Sequence, residues 1–106
     1  MNVDFFLNTN KGLVKVNSSE IHCIESCGKC AKVVTARGDF NVTNSLSQLE
    51  REVLPEVMFC RIHRSFIVPL CNIRPLDNDE VIIYERKFPV EKPYRAKLLS
   101  SLNIIW

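Results

Sequence analysis

Residues 59–73 read FCRIHRSFIVPLCNI, and the pattern at the start of this stretch decides the fold class. Cys60 and Ile62 alternate with Arg61 and His63, so an extended chain places the first pair on one face and the second pair on the other. We therefore predict a strand with one face against a core and the other face presenting charge to water.

A polar pair interrupts this alternation. Arg64 and Ser65 stand just before the apolar run at residues 66–68, which predicts a second strand. The two polar residues therefore fall between two strands, in a connection that displays hydrogen-bond donors. Connections held by a rigid scaffold are where binding groups concentrate.

The first half of the chain repeats the strand pattern. Its short apolar segments are separated by turn residues every eight to twelve positions, which is the spacing of an all-β domain. The predicted strands lie at residues 3–7, 13–16, 21–26, 31–36 and 40–43, with a single helical turn predicted at 18–20.

A short helix should follow these strands. Ser45 and Gln48 fit a capping box, in which each side chain bonds the other residue's backbone N–H. Leu46, Leu49 and Val53 then share one face at helical spacing. One apolar stripe on a short helix predicts that it lies against a sheet.

The second half should add two strands and a closing helix. Residues 74–79 predict a turn, and residues 81–84 and 88–90 predict strands. Pro93 suits the first position of a helix, where its missing N–H is no loss. Tyr94, Leu98 and Leu102 are spaced four residues apart along this predicted helix.

Length and composition predict a single domain spanning residues 1–106. The chain is 46% hydrophobic and 25% charged, an ordinary globular composition, and it has no apolar run long enough for a membrane span. Its five cysteines are an odd number, which favours free thiols over a disulfide framework. We therefore expect a protein of the reducing cytoplasm that does not associate with membranes.

The charge is unevenly distributed. The net charge is only +2, but residues 1–58 carry six Lys and Arg against seven Asp and Glu, whereas residues 59–106 carry eight against five. The positive excess thus lies in the half that contains the turn at Arg64. This asymmetry is a weak indication of an anionic partner.

These residues resemble a known family. The string RIHRSFIV at 61–68, the pair Asn72 and Ile73, and FPVEKPYRAKLL at 88–99 are similar to the LytTR DNA-binding domain, the output module of many bacterial response regulators. The resemblance extends from about residue 3 to residue 102. Its most specific part is HRSF at residues 63–66.

The resemblance implies both a fold and a function. The fold would be mainly β, an elongated arrangement of small antiparallel sheets with one or two short helices, whose loops enter DNA grooves. The function would be sequence-specific binding of double-stranded DNA at direct-repeat promoter sites, as two copies on one duplex, to regulate transcription. The chain would form the C-terminal part of a two-component response regulator, whose receiver domain is not among these residues.

The resemblance also implies DNA-contacting residues. Arg64 can donate two parallel N–H bonds to a guanine, while His63 and Ser65 suit phosphate or single base contacts. His63 can equally be a structural hydrogen-bonder. Lys29, in the turn after the third strand, aligns with a family contact position.

A further contact segment is implied at the start of the closing helix. The family pattern there is Ser, two basic residues and Tyr, whereas this chain has Glu91, Lys92, Pro93 and Tyr94. Lys92 keeps one positive charge, and Arg95 can add a backbone contact. Glu91 departs from the pattern, because a carboxylate near phosphate lowers affinity unless it points away.

Two other classes of function remain open from the residues alone. Cys27 and Cys30 form a CxxC pair, which is half of a zinc knuckle or a redox dithiol, although no second knuckle is visible. A protein-interaction module is the other alternative. With only two histidines and no Gly-rich phosphate loop, we expect neither an enzyme nor a cofactor, metal or small-molecule substrate.

Overall fold

The computed structural model describes residues 2–74, 77 and 79–105. Among these residues it contains nine strands and two helices, so the predicted mainly β class is confirmed. The strands are β1 Asp4–Thr9, β2 Gly12–Asn17, β3 Ile21–Cys27, β4 Cys30–Thr35, β5 Gly38–Val42, β6 Phe59–His63, β7 Phe66–Pro69, β8 Glu80–Ile83 and β9 Arg86–Pro89. Helix α1 at Leu46–Gln48 continues into a π-helical turn at Leu49–Val53, and α2 is Lys92–Ser100. Two 3₁₀ turns lie at Ser18–Glu20 and Leu70–Asn72.

The strands form three antiparallel sheets in an elongated molecule. The central sheet has the order β5-β4-β3-β7-β6, and the hairpins β1-β2 and β8-β9 form one two-stranded sheet each. The molecule measures 45 × 26 × 24 Å. The expected elongated arrangement of small sheets is therefore confirmed.

Two hydrophobic clusters form the core. Ile24 belongs to one cluster and its neighbour Cys23 to the other, because successive residues of a strand point to opposite faces. The first cluster includes Phe5 of the β1-β2 hairpin and Leu49, whereas the second includes Phe88. The central sheet is therefore covered on both faces, by a hairpin with α1 and by a hairpin with α2.

The turn after β2 is fixed by polar contacts. The Asn17 side chain accepts a bond from the Ser19 N–H, while Glu20 Oε1 accepts from the Asn17 N–H at 2.9 Å. Glu20 Oε2 also lies 2.6 Å from Arg37 Nε. The backbone hydrogen bond from Asn17, and then the Arg37 guanidinium, lower the pKa of Glu20 below its ordinary value of 4.5.

The first helix differs from the prediction in its second turn. The capping box of Ser45 and Gln48 is present, and Leu46 and Leu49 are buried. The Leu54 N–H bonds the Leu49 carbonyl at 2.8 Å, five residues back, so this turn is π-helical. The wider turn moves Val53 off the predicted apolar face, and Val53 is 48% exposed.

The C-terminal part largely follows the prediction. Leu98 of α2 is buried, but Pro93 occupies the second helical position instead of the first, and the helix ends before residue 102. The predicted turn at 74–79 includes residues 75, 76 and 78, which lie outside the described residues. None of the helices in the described part of the chain has the length and hydrophobicity of a membrane-spanning segment.

Candidate nucleic-acid interface

The β3-β4 turn and the β6-β7 turn lie at the same end of the central sheet. Strands β3 and β7 pair antiparallel, with Glu25 opposite Phe66, and the Ser26 N–H donates to the Ser65 carbonyl at 3.0 Å. The end of β3 therefore lies beside the start of β7. Lys29 lies only three residues after Ser26. The β3-β4 turn that carries Lys29 therefore projects from the same end of the sheet as the β6-β7 turn.

The start of α2 joins this end of the sheet through Glu91. The Glu91 N–H donates to the Ile62 carbonyl at 2.8 Å, and Glu91 Oε1 accepts from the Arg64 N–H at 2.6 Å. Glu91 is also the N-cap residue of α2. One residue thus fastens the helix to the β6-β7 turn by backbone and side chain together.

Arg64 is the most exposed side chain of the β6-β7 turn. Its side chain is 80% exposed, and its Nε lies 3.7 Å from Glu91 Oε2. Exposed ion pairs of this kind contribute only about 0–1 kcal/mol. The guanidinium can therefore leave Glu91 for a stronger partner at little cost.

His63 has internal contacts on both sides of its ring. Its Nδ1 accepts the Ser65 N–H at 3.0 Å, its Nε2 lies 3.8 Å from Glu91 Oε2, and its ring packs against Phe66 with centroids 5.2 Å apart. The side chain is only 18% exposed. These contacts favour the structural role that the sequence left open for His63.

Arg61 does not lie on a face open to water, so that prediction is wrong. The Arg61 side chain is only 12% exposed, and its Nη1 lies 3.3 Å from Glu50 Oε1 and 3.2 Å from Ser47 Oγ. Its other nitrogens donate to the carbonyls of His63 and Arg64, at 3.2 and 2.6 Å. Arg61 therefore supports the β6-β7 turn from beneath. No local signal predicts this role, because Glu50 and Ser47 belong to a helix that only the tertiary fold brings near.

The remaining predicted cations lie around this end. Lys29 is exposed in its two-residue turn, and Lys92 is exposed at the first position of α2. Arg95, one turn further, is half-buried, and its Nη1 lies 3.9 Å from Asp79 Oδ1. The structure thus brings together the segments that carry Lys29, Arg64 and Lys92, with Glu91 among them.

The thiols do not assemble a metal site in the described part of the chain. No group of three or more His, Cys, Asp or Glu side chains there is placed to hold an ion. Cys23 and Cys60 are buried, and this burial raises the pKa of Cys60 and, together with the nearby Glu25 carboxylate, raises the pKa of Cys23 to about 12.

Comparison with known proteins identifies the family of this chain. The family model of the LytTr DNA-binding domain matches residues 11–103. A solved structure described as the LytTr DNA-binding domain of a response regulator from Bacillus cereus is similar, with a TM-score of 0.79 and 25% sequence identity over 95% of this chain and 97% of that chain. A search of the curated proteins finds no match. The family match over residues 11–103 shows that this chain belongs to the LytTR family of DNA-binding domains.

Proposed function

We propose that this chain binds specific sequences in double-stranded DNA and thereby regulates transcription in the bacterial cytoplasm, as the output domain of a two-component response regulator. One observation carries the proposal. The β3-β4 turn, the β6-β7 turn and the start of α2 are fastened side by side at one end of a rigid sheet. A duplex lying across that end would meet Lys29, Arg64 and Lys92 together.

The three cations would have different tasks. Arg64 would donate two N–H bonds to the O6 and N7 atoms of a guanine, a contact that distinguishes base pairs in the major groove. Lys29 and Lys92 would bind phosphates, which fixes the position of the protein without reading sequence. Arg95 and Ser65 would add backbone contacts at the edges.

The size of the molecule suits a repeated binding site. Its long dimension of 45 Å exceeds one helical turn of DNA, which rises about 34–36 Å. One copy lying along the duplex would therefore cover more than one turn, and two copies on the same side of the duplex would bind half-sites about two turns apart. Direct-repeat half-sites would place both copies in the same orientation.

Selection from a random duplex pool at low salt tests the proposal. We expect one enriched sequence, called the cognate site below, that contains a guanine. Arg64→Ala should weaken binding to the cognate site by about 1–3 kcal/mol and hardly change binding to random DNA. Arg74→Ala is the matched control, because Arg74 is exposed and its N–H bonds the Ile82 carbonyl of β8, away from the proposed interface.

Two results would contradict the proposal. Selection that enriches no sequence would remove the sequence-specific function. An equal loss on cognate and random DNA from Arg64→Ala would make Arg64 a phosphate contact, and the residue that reads bases would have to lie elsewhere.

A further inference from the structure

Cys27 and Cys30 lie directly opposite each other on paired strands. Cys27 is the last residue of β3, Cys30 is the first residue of β4, and they are Cα partners in the ladder. Partners in an antiparallel pair point to the same face of the sheet, with Cβ atoms about 4.5–5.5 Å apart. The two thiols therefore face each other across the hairpin.

This geometry fits a disulfide without a large backbone movement. Opposite Cα atoms in an antiparallel pair are about 4.5–5.5 Å apart, and disulfides join Cα atoms about 4.4–6.8 Å apart. Gly28 takes the left-handed conformation, with φ of +66°, in the two-residue turn between the cysteines. The turn thus holds the pair in place before any bridge forms.

Among the residues that the structure describes, none of the other three cysteines is paired with a cysteine on a neighbouring strand. Cys23 is opposite Val34 and Cys60 is opposite Val68, and both thiols are buried. Cys71 is exposed in the Leu70–Asn72 turn, which follows the far end of β7. Its neighbour Asn72 bonds the carbonyl of Ile21 at the start of β3, so Cys71 lies at the opposite end of the sheet from Cys27.

An oxidant can reach the facing pair. Cys27 is exposed and Cys30 is partly exposed. Both line an open groove of about 450 Å³, together with the β1-β2 turn and the end of β5. Reactive cysteines need this kind of access, whereas buried ones are inert.

We propose that Cys27 and Cys30 are a reversible dithiol site that a peroxide oxidises to a disulfide, and that this change weakens the DNA contact of the β3-β4 turn. The Cys27 thiolate attacks one peroxide oxygen, the O–O bond breaks, and a sulfenic acid and hydroxide result. The Cys30 sulfur then attacks the Cys27 sulfur, an S–S bond forms, and the S–O bond breaks. In sum two thiols and one hydrogen peroxide give one disulfide and two waters, with two electrons passing to the peroxide.

The bridge acts on DNA through Lys29. Closing it brings the Cβ atoms to about 3.8 Å, roughly 1 Å closer than in an open pair. Lys29 lies between the two cysteines, so the tightened turn redirects its ammonium group away from the phosphate. A small dithiol restores the open turn by thiol–disulfide exchange.

Thiol counting tests the site without any DNA. One equivalent of hydrogen peroxide should lower the free thiols of the denatured chain from five to three, and peptide mapping should show Cys27 joined to Cys30. Cys71→Ser should form the same bridge, whereas Cys27→Ser and Cys30→Ser should not. A bridge between chains through Cys71, or oxidation of Cys27 with no bridge, would overturn the proposal.

DNA binding tests the switch, and this part rests on the proposed function. The oxidised chain should bind duplex DNA about threefold to tenfold more weakly, with a salt slope shallower by about 0.9, the contribution of one phosphate contact. Lys29→Ala should show the same loss of DNA affinity already in the reduced state. Oxidation of this variant should then cause no further loss of affinity. An unchanged affinity after oxidation would overturn the switch alone, whereas a reduced chain that binds no DNA would overturn the proposed function.

Discussion

Glu91→Gln should strengthen DNA binding, because the Glu91 carboxylate competes with the guanine for Arg64 and repels the nearby phosphates. In the parent chain the Arg64 N–H donates to Glu91 Oε1 at 2.6 Å. The amide oxygen of Gln can still accept this bond, so the β6-β7 turn should stay attached to α2. The substitution removes the negative charge that lies 3.7 Å from Arg64 Nε and 3.8 Å from His63 Nε2. Glu91→Gln therefore tests the effect of the negative charge while keeping the hydrogen bond by which Glu91 positions the β6-β7 turn.

The expected gain in DNA affinity depends on how exposed the Arg64–Glu91 ion pair is. At 3.7 Å two unit charges attract by about 4 kcal/mol in a medium of effective dielectric constant 20, but the Arg64 side chain is 80% exposed. Exposed ion pairs contribute about 0.2–1 kcal/mol to stability, so releasing Arg64 from Glu91 costs about this much free energy. Repulsion between the carboxylate and the nearest phosphate across water adds roughly 0.5 kcal/mol. Together these contributions amount to about 0.7–1.5 kcal/mol, so the affinity should rise by about threefold to thirteenfold.

Fluorescence anisotropy with a labelled duplex from 50 to 200 mM salt is the suitable assay. The salt slope of Glu91→Gln should steepen by about 0.9, since the interface loses one negative charge. Glu85→Gln is the matched control, because it makes the same change in net charge at the exposed β8-β9 turn. Weaker binding of the cognate site by Glu91→Gln would refute the reasoning and make Glu91 itself a DNA contact.

Three further predictions concern single side chains. Lys92→Ala should weaken binding to cognate and random DNA by similar factors and reduce the salt slope by about 0.9, as measured by the same titrations. Phe88→Ala should lower the free energy of unfolding by about 3–5 kcal/mol in urea, because Phe88 is fully buried and the substitution leaves a cavity. The pKa of Glu20 is lowered in the folded chain by the Asn17 N–H and Arg37, so Glu20 stabilises the fold above pH 4.5 and this stabilisation is lost as the pH falls through the lowered pKa. Glu20→Gln should therefore be less stable than the parent chain at neutral pH, with the difference disappearing in acid in thermal melts followed by circular dichroism.

The strands and turns were predictable because their signals are local. The alternation of Cys60 and Ile62 with their polar neighbours predicted β6, and both residues are buried. The capping box at Ser45 and Gln48 predicted the start of α1. Such patterns depend only on residues within a few positions of one another, so they predict local structure independently of how the rest of the chain folds. The π-helical turn was not predicted, because the spacing of Leu46, Leu49 and Val53 fits an ordinary α-helix and gives no sign of the wider turn.

The position of each candidate DNA contact was only partly predictable. The sequence indicates that Arg64 and Lys29 lie in turns, since polar or glycine-containing pairs interrupt strand patterns there. That these turns lie at one end of the molecule depends on the pairing of β3 with β7, some forty residues apart in the chain. Hydrogen bonds between strands are made by backbone groups that all residues except proline share, so no local pattern specifies the partner strand.

The sequence by itself therefore determined the β class, the turns and the types of side chain that the turns carry. Only the tertiary structure decided that Arg61 supports a turn while Arg64 projects from it, and that Glu91 fastens α2 beside both. The physical reason is that a charged side chain takes its role from the groups that surround it. For these residues, those groups come from distant segments that the folded sheets bring together.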